Sequence, residues 1–198
     1  MLVVIIEIMN NRVMKCQHGE ANMSFWDEKM RRQWTSFKTP PYIGPGPRQG
    51  KGNRETCVWQ PPKNGWFKLN FDGASRGNPG QAGIGCCLHN SNGIEVAQRE
   101  KPIGIETNNR AEFMALVEGL EMCKASGVEK LVVEGDSAIV INALRNGSIL
   151  NWRLDMLLSR ALKFGKAFKS IIFNHIFQEG NSRSDELANM GADGLYLE

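Results

Sequence analysis

Four acids in this chain, Asp72, Glu112, Asp136 and Asp185, each stand in a distinctive local context. They occur in Phe-Asp-Gly-Ala-Ser (71–75), Thr-Asn-Asn-Arg-Ala-Glu (107–112), Glu-Gly-Asp-Ser (134–137) and Gly-Asn-Ser-Arg-Ser-Asp-Glu-Leu-Ala (180–188). The chain has 21 Asp and Glu, and any one of them alone is ordinarily a solvated surface group or a helix-start charge. Order, context and spacing together single out these four. Gathered at one point they would repel one another unless cations neutralised them. Two hard divalent ions about 4 Å apart would do so, one activating a water and the other stabilising the leaving oxygen of a phosphodiester. Oxygen-only ligands select Mg²⁺ or Mn²⁺ over zinc.

The elements that must position these acids are legible in outline. Phe67, Leu69 and Phe71 alternate with Lys68, Asn70 and Asp72, a period of two that predicts a strand ending at Asp72, with the acid opposite the aromatics. Residues 73–81 are rich in glycine and turn formers, and 84–88 and 94–98 read as two further strands around the turn Asn90-Ser91-Asn92-Gly93. A helix is expected after Thr107 or Asn108, with Glu112 in its first turn and Phe113, Leu116, Val117, Leu120 and Cys123 along one stripe. A strand at 131–133 runs toward Asp136, which also has the character of an N-cap for a helix over 137–144. A helix over 152–166, a strand over 171–177 and a helix over 182–190 complete the series. Hairpins followed by alternating elements imply an α/β fold, a mixed sheet with helices on its faces.

His175 falls between a strand and the loop leading to Asp185. A histidine beside a metal site can move protons near neutral pH, although a lone histidine is more often structural. His18 and His89 have no such context. The glycine-rich stretch Gly73–Gly85 lacks the Gly-Lys-Ser/Thr ending of a P-loop, and Gly83-Ile-Gly85-Cys-Cys-Leu88 fails the dinucleotide fingerprint at its third glycine. It suits either a tight hairpin or close backbone approach to a sugar-phosphate chain.

Composition bounds the remainder. Five cysteines without a CxxC pair argue against a disulfide framework or zinc knuckle and for a reducing, intracellular compartment. The apolar start at 1–8 is too short to span a bilayer and lacks the positive flank of a secretory signal. Residues 1–65 hold ten Lys and Arg against five Asp and Glu, whereas residues 66–198 hold fourteen against sixteen. Bound cations would reverse the local sign in the acidic part. Eight of the fifteen residues at 40–54 are Pro or Gly, a linker composition. The expected organisation is a short, partly helical N-terminal segment (1–39), a linker (40–65), the domain bearing the acids (66–193) and a tail (194–198).

Lys68-Leu-Asn-Phe-Asp-Gly-Ala, Arg76-Gly-Asn-Pro-Gly, Thr107-Asn-Asn-Arg-Ala-Glu, Gly135-Asp-Ser and His175 through Asp185-Glu-Leu-Ala-Asn resemble, in order and separation, the type 1 ribonuclease H family. The likeness is to the domains related to plant retroelement reverse transcriptases. It implies a ribonuclease H-like, five-stranded mixed sheet flanked by helices, and hydrolysis of the RNA strand of RNA–DNA hybrids with two Mg²⁺ ions. It further implies that Asp72, Glu112, Asp136 and Asp185 bind metal and that His175 assists proton transfer or product release. Asn78, Asn108 and Asn109 match positions that contact the minor groove, where the RNA 2′-OH distinguishes RNA from DNA. One departure concerns the 39 residues from Asp136 to His175. They leave no room for the basic helical protrusion of some members, only Arg153, Arg160, Lys163, Lys166 and Lys169 along 151–169. The alternative is therefore a weak or inactive nucleic-acid-binding module, a relic of a retroelement. A monomer is expected.

Overall fold

The computed structural model of the chain describes residues 58–194. The expected N-terminal segment, the expected linker up to residue 57 and the tail beyond 194 lie outside the described residues. Five strands and four helices follow in the expected order: β1 (Phe67–Gly77), β2 (Gly80–His89), β3 (Glu95–Glu106), α1 (Asn108–Ala125), β4 (Lys130–Gly135), α2 (Ala138–Asn146), α3 (Trp152–Gly165), β5 (Ser170–His175) and α4 (Ser182–Ala192). A 3₁₀ turn at Gln178–Gly180 leads into α4.

The strands form one sheet in the order β3-β2-β1-β4-β5. β1, β2 and β3 are antiparallel neighbours, and β1, β4 and β5 are parallel ones. This is the mixed sheet that the alternation of elements required. The register pairs Asn70 of β1 with Glu134 of β4. Continued by two residues, it puts Asp72 beside Asp136.

Period-two alternation sorts the two faces. Leu69 and Phe71 of β1 and Ile84, Cys86 and Leu88 of β2 enter the main core with Phe113, Leu116 and Leu120 of α1. Ile141 and Leu144 of α2 and Leu154 and Leu158 of α3 join the same core. The opposite face of β2 carries Gly83 and Gly85, and α4 lies directly on it. A Cβ at Gly85 would collide with the Ser184 carbonyl and the Ala188 amide of α4.

Three strands are longer than the residue pattern suggested. β1 runs on through Gly73 to Gly77, so Asp72 is mid-strand rather than terminal. β2 begins at Gly80, not at 84. β3 continues past residue 98 to Glu106. The small residues at 73, 83 and 85 look like turn formers, but they occur where a helix backbone crosses the sheet closely. Pro102 is tolerated because β3 is an end strand of the sheet.

Helix starts also differ in detail. Thr107 caps α1, its side chain accepting from the Arg110 amide. That makes Glu112 the fifth helical residue, one turn later than expected and facing the sheet. Ser137, not Asp136, occupies the N-cap of α2, which leaves the Asp136 carboxylate free for another role.

Gly85→Ala tests the α4 contact. The added methyl has only backbone to push against, so overpacking is expected to cost about 1–3 kcal/mol in urea unfolding. Because Asp185 rides on α4, the same change is expected to weaken divalent-ion binding measured by calorimetry.

Candidate metal centre

Asp72 projects from the middle of β1, Asp136 follows the end of β4, Glu112 comes from α1 and Asp185 from the first turn of α4. One carboxylate oxygen from each of Asp72, Glu112 and Asp136 lies within 4.8 Å of the other two. Asp185 lies close enough for its charge to act on Asp72, and its Oδ1 accepts from Asn189 Nδ2 at 3.1 Å. Acids spread over 113 positions of the chain are thus gathered on one side of the domain, three of them within 4.8 Å.

Gly73 allows the closest of these approaches. A Cβ there would overlap the Ala111–Glu112 peptide, so only glycine after Asp72 lets the start of α1 settle onto β1. Asp72 and Glu112 are each only 6% exposed. Glu112 Oε2 is buried with no hydrogen-bond partner among the described residues. A buried carboxylate oxygen without a donor is costly, and a hard cation is the partner that its chemistry suits.

The electrostatics agree. Burial, then the charges of Asp136 and Asp185, push the Asp72 carboxyl up to about 8, against a lowering by the Gly73 amide. Burial, then the Asp72 and Asp136 charges, hold Glu112 well above the usual carboxylate range. Without a cation, folding thus favours the protonated acids.

His175, the last residue of β5, is exposed, and its Nε2 lies 2.9 Å from the backbone carbonyl of Asp136. The β4–β5 register, which pairs Gly135 with His175, holds it there. Its ring meets Phe177 edge-on at 6.4 Å. Asn78, in the β1–β2 turn, accepts from the Asn108 amide at 3.1 Å. This ties the turn to the first residues of α1, where Asn108 and Asn109 are both exposed.

A residue without an assigned part in the sequence analysis sits at the hub. Asn181, 1% exposed, donates from Nδ2 to the Phe71 carbonyl at 3.0 Å and to Asp136 Oδ1 at 3.2 Å. Its Oδ1 accepts from Ser184 Oγ at 2.7 Å and from Asn70 Nδ2 at 3.3 Å. It thereby orients the Asp136 carboxylate and locks α4 to β1. Beside it lies a buried ion pair, Lys68–Glu134 at 3.0 Å, with Asn174 Nδ2 donating to Glu134 at 3.4 Å. The polar alternation Lys68-x-Asn70-x-Asp72 was the available signal. It marks the second face of β1, which is not solvated as such a pattern usually implies but buried.

A family model described as reverse transcriptase-like matches residues 70–191. The chain belongs to the reverse transcriptase-like family of ribonuclease H-type enzymes. Ribonuclease HI of Halobacterium salinarum is 37% identical over 141 residues, 70% of this chain and 70% of that protein. The crystal structure of ribonuclease H1 from that archaeon superposes with a TM-score of 0.62 at 35% identity, covering 65% of this chain and 98% of the other. An Arabidopsis thaliana protein, whose name assigns it provisionally to ribonuclease H, is 31% identical over 131 residues. The match covers 66% of this chain but only 21% of that longer relative. LC11-RNase H1, solved in complex with an RNA/DNA hybrid, matches with a TM-score of 0.61 at 29% identity, over 65% of this chain and 97% of that one. The two solved structures share the ribonuclease H fold that the sheet order describes.

Two outcomes follow from the geometry. Asp72 has its folded-state pKa raised from 3.8 to about 8. Its stabilising contribution is therefore complete below about pH 4 and lost as pH climbs through 8. In chelator, the midpoint of thermal unfolding should fall over that window. Asp72→Asn should flatten the fall, and added Mg²⁺ should restore stability at the alkaline end. For Asn181→Asp, which loses both donated bonds at constant shape, urea denaturation should record a loss of about 1–3 kcal/mol.

Proposed function

We propose that this protein hydrolyses the RNA strand of RNA–DNA hybrids, with a pair of Mg²⁺ ions held by Asp72, Glu112, Asp136 and Asp185. Mn²⁺ would serve in their place. The observation that carries this reading is the meeting of three buried or half-buried carboxylates within 4.8 Å, one of them with an unpartnered oxygen. When bound, such ions neutralise the acids, activate a water and stabilise the leaving oxygen of a phosphodiester.

The chain's own residues have distinct tasks. Asn181 fixes the orientation of Asp136, so the carboxylate meets its ligand without first reorganising. Asp72 and Glu112, shielded from water, offer oxygens that a proton would otherwise occupy. In this reading His175, whose exposure and contact with the Asp136 carbonyl support the assignment, exchanges protons between solvent and the reacting phosphate. Asn78, Asn108 and Asn109 form one polar edge whose amides can donate to or accept from a ribose 2′-OH. RNA is then told from DNA by the hydroxyl that DNA lacks. The protein acts as a monomer in this reading. No helix among the described residues is long and apolar enough to cross a membrane.

A second reading, a module that binds hybrids with little turnover, draws on one feature. Only residues 147–151 connect α2 to α3, so no basic protrusion projects there. Leu150, 93% exposed, and Trp152, 57% exposed, stand at this connection, with the Arg153 guanidinium over the Trp152 ring at 5.3 Å. These are few cations for gripping a polyanion.

The deciding experiment offers hybrid, duplex DNA and duplex RNA to the protein with and without Mg²⁺, beside a gel shift on the same hybrid. Mg²⁺-dependent cutting of the hybrid alone is expected. Asp136→Asn should lower the rate by at least a hundredfold while leaving the circular dichroism spectrum intact. Wild-type cleavage by that variant would refute the assignment, and binding without cutting by the native protein would favour the second reading.

A further inference from the structure

A second cluster of ligand-type side chains lies further along the same α4 face of the sheet, where Cys87 pairs with Asn70, two residues before Asp72. Cys87 and His89 point from β2, and Glu95 opens β3, where the register pairs it with His89. A sulfur, a ring nitrogen and a carboxylate oxygen from these three lie within 4.8 Å of one another. His89 Nε2 is 3.9 Å from Glu95 Oε2. Tetrahedral coordination with bonds of about 2.0–2.3 Å separates ligand atoms by roughly 3.3–3.8 Å, so an ion would shorten the separations among the three, now within 4.8 Å, by about 1.5 Å at most.

Space and access are present. A cavity of about 210 Å³ is bounded by Cys87, His89, Trp59, Asn70, Asn181 and Arg183. The Trp59 ring, 4.7 Å from that of His89 and tilted by 52°, forms one wall. The Cys87 side chain is buried, whereas the side chains of His89 and Glu95 keep 13% and 28% exposure and open a path from solvent. His89 Nδ1 is buried with no hydrogen-bond partner among the described residues, so one ring nitrogen is left unsatisfied by the protein.

We propose that Cys87, His89 and Glu95 form a site for one thiophilic divalent cation of the Zn²⁺ class, with the fourth position facing the cavity. The donor set of thiolate, imidazole and carboxylate is the mixture that zinc takes and Mg²⁺ refuses. Binding forms a metal–sulfur bond and releases the Cys87 thiol proton to solvent, so the site carries two negative charges against the ion's two positive ones. Arg183 donates to Glu95 Oε2 at 3.1 Å. It holds the carboxylate in place at the oxygen that faces His89, so the metal would take the remaining lone pair of that oxygen. Lys68 is drawn off to Glu134 and the Gln60 carbonyl. The site is chemically distinct from the four acids, which offer only oxygen.

Co²⁺ titrated into the metal-free full chain is the probe, because only a sulfur ligand produces a thiolate-to-cobalt charge-transfer band. One equivalent is expected to generate the band, and Zn²⁺ to bleach it. Asp136→Asn should leave it unchanged. Cys87→Ser should abolish it, and His89→Gln should weaken binding at least tenfold. Circular dichroism checks that each variant is folded. If Cys87→Ser does not fold, X-ray absorption of the Zn²⁺-loaded native chain decides in its place, a zinc–sulfur shell being expected. A native chain without the band, a band that survives Cys87→Ser, or a Zn²⁺-loaded chain without a zinc–sulfur shell would each overturn the proposal.

Discussion

Mutual repulsion among acids packed out of water is the constraint around which this fold is arranged. Like charges about 4 Å apart repel by about 4 kcal/mol at an effective dielectric constant of about 20. That opposes folding unless protons or cations intervene. Asp72 and Glu112 respond as that physics requires, both raised in pKa by burial first and by neighbouring acids second. Their burial makes them poor surface carboxylates and good ligands for hard ions. Packing elsewhere over-determines the cluster and holds it together against that repulsion.

That packing has identifiable parts. The parallel pairing of β1 with β4 aligns Asp72 with Asp136. Gly73 removes the one Cβ that would keep α1, and with it Glu112, from the sheet. Gly83 and Gly85 do the same for α4, whose Ala188 and Ala192 backbones lie where side chains would otherwise be. Asn181 then converts proximity into orientation by bonding at once to the β1 backbone, the Asp136 carboxylate and the first turn of α4. Glycine sets the distances, and one buried amide sets the angles.

The second face of the sheet is unusual in being polar and buried together. Lys68 pairs with Glu134, Asn70 bonds to Asn181, and Asn181 bonds in turn to Asp136. Trp59 joins them, donating from its indole nitrogen to Asn70 at 3.0 Å, with the Lys68 ammonium 5.2 Å from its ring centre. Trp59 and Gln60 read as linker from composition, yet they are seated on the domain. Proline and glycine density upstream hid that contact, because composition reports chain stiffness and not what a single aromatic touches.

The order of elements, the core stripe of α1, the four acids and the chemistry they could do together were all legible in the sequence, since period and local motif are properties of neighbouring residues. The likeness to ribonuclease H came from five such motifs in order. What no local pattern contained was the length of β1, β2 and β3, because glycines that let helices approach look the same as glycines that turn a chain. Nor could it show that Asp136 leaves the N-cap of α2 to Ser137, that Glu112 faces inward from the second turn of α1, or that Asn181 governs the site. Those facts arise from contacts between residues as far apart as 70 and 181. Only the assembled sheet with both helical layers in place brings such partners within hydrogen-bonding distance.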